Sequence, residues 1–598
     1  MTRRSTLPIR PRTVIAALLA VLTLTACAGL PTSDTVEQGR PVLGQPQQGP
    51  QVLPDGPQQG APPEQILSGF LLANVGFTDD HEVARSFLTE ELATEWAPIS
   101  QVVVYEDAEV EREGQDSVVV TLAVRGTVDG SGYLTEEPAG TTRVERFGMT
   151  RIAGQWRIED FPEGFGLWLA TADFDRQYRT ATINYLALGS DVFVPDVRWF
   201  PRYPLGSGLS TALTRAQLQR TPDYLRGAVR NALPDGVDLT ANGVPVDPST
   251  GTATVDLTGA GVTSSEGQQR QMWAQLTQTL LQAPGVSRVR LQSGGRTLEV
   301  PGIEDSLAEP ASIGYSAATR SVDFGLLRVR DELTLINPRA YDLRDYVPAS
   351  DEELPELPDV PVRWTDLSAD ATAEDFAAVS VDRQTLWRWR NGIGVEFEGI
   401  GTELTAPHFD GAGGLWLAGR SASTPRVWHV DTEEALSGSV ARPLEVDWLR
   451  EGTQVLHFHV SPDDQRAVIH LRDPQTGKEE LALTGVVRDR EGNPTSLTAP
   501  RPIGRTIESV SQVEWVTPTT LVVLGRRAGD EVDTPYQLPI GAWVEALVPV
   551  QQAVLLRGVP NEEGFSLILL SDEGRLYTQE GNDWSTSRNG DDVVIPGH

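Results

Sequence analysis

Few residues of this 598-residue chain are spaced to do chemistry. Cys27 is the sole cysteine, and it closes the run Leu24-Thr25-Ala26-Cys27 where an apolar stretch over 14–26 stops. A thiol there can take a diacylglycerol through a thioether. The small residues Thr25 and Ala26 let a peptidase close on the bond before Cys27, and the new amino terminus can then be acylated. Two or three chains hold firmly where one would not, at roughly 0.8 kcal/mol per buried methylene. His457 and His459 are the candidate metal ligands, because i and i+2 on a strand point to one face and Asp463 and Asp464 follow closely. Two histidines on a strand serve equally well as core or surface polar groups. Other constellations are poor. Gly206-Ser207-Gly208 lacks the strand and elbow spacing of a hydrolase nucleophile. Gly477-Lys478 is followed by Glu479, which would repel a phosphate. No catalytic set and no cofactor is expected.

Upstream of Cys27 lie Arg3, Arg4, Arg10 and Arg12, then an apolar run too short to span a bilayer as a mature helix. A charged start with a short greasy middle is a signal peptide's build, so residues 1–26 are read as one. The triplet leading into Cys27 resembles the lipobox of bacterial lipoproteins. That resemblance implies an N-acyl, S-diacylglycerol Cys27 anchoring the protein to the extracytoplasmic face of the cell membrane.

Composition bounds the cargo. The chain is far longer than one hydrophobic core usually serves, so several domains are expected. Its 56 Gly and 42 Pro, with 39% hydrophobic residues, describe a loop-rich protein with more β than α. A formal charge of -34 argues against nucleic acid and leaves membrane binding to the lipid. With Cys27 spent on the anchor, no intramolecular disulfide remains. Lys478 is the sole lysine among 49 basic residues, a skew that suggests a GC-rich, actinobacterial genome.

Elements then follow from periodicity. Residues 27–63 are Gly, Pro, Gln and small polar residues with nothing to pack, a tether. Helical spacing over 65–77 and 81–96, with Asp79 or Asp80 as cap, precedes alternating strands over 102–110, 117–128 and 142–152 and a hairpin strand at Trp156. The order resembles a nuclear transport factor 2-like α+β cone, assigned to 64–204. Trp156, Trp168 and His81 could line a pocket in it or fill its core. Prolines 195, 201 and 204 place a boundary near residue 204. Thr221-Pro222-Asp223 predicts a helix to Leu233, and a longer helix is expected over 268–282, between strands at 251–257 and 286–291. That series resembles the GerMN domain, assigned to 205–303, which implies assembly or binding. From residue 311 to 598 a strand, tight turn, strand phrase recurs about every 50 residues, with a degenerate first copy at 313–323. Five or six blades of a β-propeller would read this way. The expected class is therefore multidomain α+β and all-β, ending in a propeller. The acidic piece 351–361 is expected as a loop between blades.

Anchor, tether, GerMN-like module and propeller in that order, with the Trp199-Phe200-Pro201-Arg202 join, resemble the actinobacterial LpqB lipoproteins. The resemblance implies a role in envelope homeostasis through a protein partner, a membrane sensor histidine kinase of the MtrB type. Contact surfaces are expected on Trp387, Arg388, Trp389 and Arg390 and around Arg270, unless blade packing absorbs these rings. The rival is an extracytoplasmic hydrolase or glycan-binding protein using a propeller face.

Overall fold

The computed structural model describes residues 54–597 except 77, 203–206, 241–242, 263–264, 304–308, 320–321, 349–353, 398, 434 and 562–563. The signal segment, Cys27 and most of the tether lie outside the described residues. The described chain is one compact unit built from three modules.

The first module packs helices on one face of a six-stranded sheet. Ser117–Asp129 buries every second residue along its length, as a half-buried strand must. The last strand, Leu167–Ala170, runs parallel to Gln101–Glu113 while its other pairings are antiparallel. The first helix, Pro63–Ala73, starts with Pro at its first turn and buries Ile66, Leu67 and Phe70. The helix expected over 81–96 is broken in two, Glu82–Arg85 and Glu90–Glu95. Between them Phe87 and Thr89 exchange backbone hydrogen bonds with Ile158, at 3.0 and 2.9 Å, which pulls the chain into an extended step. Thr89 caps the second piece, its hydroxyl accepting from the Leu92 N–H, while the first piece begins after His81 without a side-chain cap from that residue.

Phe70 sits among Phe87, Trp96, Phe161 and Phe165, and Phe147 meets Trp168 edge-on at 5.3 Å. Trp156, Trp168 and His81 are all buried in this core. The cavity beside Trp168 holds only about 30 Å³, room for about one water. Burial lowers His81 to about 4, so the ring fills space as a neutral group.

The boundary expected near 204 falls earlier, at the helix Thr171–Gln177. Strands Tyr178–Ala187 and Val192–Pro201 form a hairpin that Val229–Arg230 extends on one side and Ser316–Ala317 on the other. This sheet shares its core with the second module, whose parallel strands Thr252–Thr258 and Arg288–Ser293 flank the helix Glu266–Leu280. Ser265 caps that helix, and Met272, Trp273, Leu276 and Leu280 are buried in it together with Ala274, Gln275, Thr277 and Thr279, so burial extends beyond one apolar stripe. The helix expected over 221–233 is absent. The chain makes a 3-10 turn at Asp223–Leu225 instead, because Tyr224, Leu225 and Ala228 are drawn into packing that reaches the third module. The helix before it is Gly208–Leu218.

Six blades make the third module. Four antiparallel strands form each of blades two, three, five and six, and blade four carries a fifth. Blade one starts at Gly325–Val329, later than residue 311, since Ser316–Ala317 belongs to the middle sheet and 313–323 is no blade copy. Its strand partners are Glu332–Ile336 and, from the far end of the chain, Asp592–Val594. The strand Asp592–Val594 therefore closes the ring. The repeated phrase marks first and second strands in blades three to five but second and third strands in blades two and six. Residues 354–361 lie in the connection between blades one and two.

The modules are locked to one another. The middle module's core runs without a break into Leu483, Trp515 and Leu538 of blades four and five. Trp543 of blade five enters the first module's core beside Phe174 and Trp199. At the joint of all three, buried Asp196 accepts hydrogen bonds from Tyr133 (2.7 Å), Tyr224 (2.6 Å) and Arg198 Nε (2.8 Å). Arg501 of the propeller lies over the Tyr133 ring at 4.1 Å. Burial and the Asp196 charge raise both tyrosines, so they remain neutral donors.

Candidate functional site

The innermost strands of the six blades surround a channel containing a cavity of about 650 Å³. These strands run from a mouth, where Asp382 and Val554 are exposed, toward turns that meet the middle module. At the closed end Gln465 accepts from the Leu188 N–H at 3.2 Å, and Arg466 donates to the Pro195 carbonyl at 2.8 Å. Fully buried Arg466 also pairs with Asp463, which holds two inner strands and the middle module together. These bonds tie the closed end to the middle module around a cleft of about 670 Å³ that Leu188, Asp463, Gln465 and Gly597 help to line.

The open half is charged. His457 and His459 lie on the inner strand Gln454–Val460 of blade four and both line the cavity. A bulge between Val455 and His457 sets their register. His457 Nδ1 lies 3.0 Å from His470 Nδ1, and His470 Nε2 lies 3.1 Å from Glu479 Oε2. Glu479 also accepts from Arg472 and from the Val510 N–H. Desolvation is the largest single influence on Glu479 and raises it, but the donors His470, Arg472 and Val510 together hold the carboxyl at about 2, while burial, then His470 and His459, lowers His457 to about 3. A neutral His457 thus leads through His470 to an ionised Glu479. The His459 ring packs on His408 with centroids 4.8 Å apart. Asp463 is committed to Arg466, and Asp464 accepts from the Gly411 N–H. Among the described residues no group of three or more His, Cys, Asp or Glu could hold a metal.

Deeper in the channel, Arg557 donates from Nε to the Val593 carbonyl at 2.8 Å and stands 4.0 Å from Glu514 Oε2 and 3.8 Å from Asp592 Oδ1. Both distances exceed a hydrogen bond. Neither carboxylate oxygen has a hydrogen-bond partner. Burial, only partly offset by Arg557, pushes Glu514 up to about 7 and Asp592 to about 6. Glu514, missed in the sequence, is the most perturbed carboxyl on the wall of the cavity. At the rim Asp366 stands in a bulge with φ +52° and meets Arg383 at 2.5 Å.

The expected contact residues are placed differently. Arg388 is fully buried, paired with Asp375 and donating to the Thr432 carbonyl and Ser439. Arg390 shares Asp375. Trp387 and Trp389 pack with Trp364 at 5.2 and 6.3 Å, so these rings build the blade. Arg270 donates to the Ile313 carbonyl and ties down the segment entering the propeller. Ser207 precedes the helix Gly208–Leu218, and Lys478 follows the turn at Asp473.

An α+β module, a mixed middle module and a six-bladed propeller, fused in that order, are the class this arrangement defines, and three family models match it in order. They are Lipoprotein LpqB, N-terminal domain, over residues 56–175, Sporulation and spore germination over 185–299, and Lipoprotein LpqB beta-propeller domain over 355–596. The chain is 28% identical to Lipoprotein LpqB of Cutibacterium acnes, covering 96% of each chain. Identity to its namesake in Thermobifida fusca is 28% over 86% of this chain and 87% of that one. In Streptomyces coelicolor it is 26%, over 98% of both. The chain belongs to the LpqB family of actinobacterial lipoproteins. The first match ends at 175, beside the helix where the structure breaks. No helix among the described residues is long and apolar enough to cross a membrane.

Proposed function

We propose that the protein is a non-catalytic binding accessory of the cell envelope, held at the extracytoplasmic face of the membrane by acyl chains on Cys27. Its partner is a membrane protein, a sensor histidine kinase of the MtrB type, whose activity it modulates by contact. The observation that supports this most is the fusion of three modules into one block with one propeller face bonded to the middle module and the other open. Such a block presents a fixed surface to a neighbour. Anchoring raises the effective concentration of that surface near any membrane-bound partner, so modest contacts suffice. Charged and aliphatic side chains line the open channel, His457 is engaged by His470, and Ser511 by Asp533. That wall offers neither a nucleophile with its base nor the aromatic platform on which a sugar ring stacks.

Cys27→Ala tests the anchor. Incorporation of labelled palmitate should disappear and the protein should leave the membrane fraction; continued labelling would exclude Cys27 as the acylated residue. Capture of the wild-type protein from detergent-solubilised membranes should bring down the kinase, identified by mass spectrometry. Turnover of a cell-wall polymer by the purified protein would overturn the accessory reading.

A further inference from the structure

The propeller channel contains more negative charge than its own arginines neutralise. Arg472 is engaged by Glu479, Arg383 by Asp366, and Glu403 at the rim by Arg420 at 3.0 Å. Exposed Asp382 stands at the mouth, hydrogen-bonded only to neighbours in its own turn. Inside, Glu514 and Asp592 flank the guanidinium of Arg557 at distances too long for hydrogen bonds, and Arg328 also acts on Asp592. The Glu514 side chain is 7% exposed, and its Oε2, on the wall of the cavity, lacks any donor. An unmet buried acceptor costs about 1–3 kcal/mol, and more when it is charged. A donor arriving through the mouth removes that cost.

Two features select what kind of donor fits. The charge left over is negative from rim to floor, so a cation is favoured over a neutral group. Between rim and floor the wall is aliphatic, with Leu456, Val513 and Leu556, which suits a flexible hydrocarbon stem behind a compact charge. We infer that the open end of the propeller is a docking site for a lysine side chain of an envelope partner, whose ammonium group reaches Glu514 while its backbone rests across the rim. This rests on the accessory reading and gives the partner's contact a chemistry: one basic side chain on a protruding segment. No bond is made or broken.

The probe is N-acetyl-glycyl-lysyl-glycine amide, titrated into the full chain in detergent and followed by saturation-transfer NMR. Saturable binding is expected, weakened by about tenfold or more when the lysine is acetylated, which corresponds to about 1.4 kcal/mol. Glu514→Gln should abolish it, whereas Glu111→Gln, which removes the same charge from an exposed strand position, should not. Val554→Trp narrows the mouth from an exposed position without touching a carboxylate and should also abolish binding, which covers the case in which Glu514→Gln perturbs folding. Equal binding of the lysine and acetyl-lysine peptides, or binding unchanged in Val554→Trp, would overturn the site. If the peptide fails while the wild-type protein still captures the kinase, the occupant of the channel is wrong and the accessory reading stands.

Discussion

The two ends of the propeller channel are built from the same strands and differ in how their charges are settled. At the middle-module end, Arg466 is surrounded by the Asp463 carboxylate and the Pro195 and Pro518 carbonyls, and Trp515 lies 5.3 Å from its guanidinium. Farther along the channel, between that joint and the rim, Arg557 faces two carboxylates and hydrogen-bonds to neither. Buried charge that is fully bonded specifies a joint, and buried charge left short of partners keeps an affinity in reserve. The bonded end thus serves architecture and the open end recognition.

Breaking the bonded end should have the largest effect. Arg466→Ala leaves Asp463 buried and uncompensated and should cost about 3–5 kcal/mol of unfolding free energy in urea titration. A cost within the range of a surface substitution would show that this joint carries no load.

The open end should respond to pH in a way the bonded end does not. Glu514 is raised from an ordinary value of 4.5 to about 7, so the folded state holds its proton more tightly than the unfolded chain does. Its contribution is therefore full below about 4.5 and declines as pH rises through about 7, by on the order of 3 kcal/mol. His457 works oppositely: lowered from 6.5 to about 3, it withdraws stability as pH falls below about 6.5. Glu514→Gln should leave the acid limb in place and raise the urea midpoint at about pH 8 relative to wild type, with little change at about pH 5. Identical pH profiles for the two proteins would mean that Arg557 already satisfies Glu514.

A smaller effect sharpens the same contrast. A Cβ on Gly485 would stand 2.6 Å from the Ala228 Cβ and 2.8 Å from the Tyr224 carbonyl, across the seam between blade four and the middle module. Gly485→Ala should cost about 1–3 kcal/mol, read as a lowered Tm, because neither neighbour is a flexible chain end. It should leave binding at the mouth unchanged.

How far these features could be read in advance depended on whether their cause was local. The helix Glu266–Leu280 was legible because cap, apolar stripe and terminating Pro-Gly all lie within its own stretch. Residues 179–199 read as one extended stretch, but extended character says neither where the chain turns back nor which sheet it joins. The Thr221-Pro222-Asp223 signal pointed to a helix and lost to Tyr224 and Ala228, whose packing partners are some 260 residues away. Trp387 to Arg390 looked like an exposed anchor because sequence cannot show Asp375 waiting on the neighbouring strand. For His457 the strand placement was readable and the His470 partner was not. Glu514 carried no signal at all: one carboxylate among 83 acidic residues acquires its meaning only from burial beside Arg557.

Closure of the ring by Asp592–Val594 against Gly325–Val329 has a consequence for the protein's manufacture. A nascent chain adds residues from amino to carboxyl end, so five blades are finished while the gap between the sixth and the first still waits for Asp592–Val594. Until they emerge, the apolar sides of Leu327 and Ile568 have no Val593 to cover them. A chain broken just before Asp592 would leave every module nominally present. The product would nonetheless be an open ring, exposed to proteases and to other chains with the same unpaired edge. Emergence of this one short strand and closure of the propeller are in this sense a single event, and quality control can read one from the other.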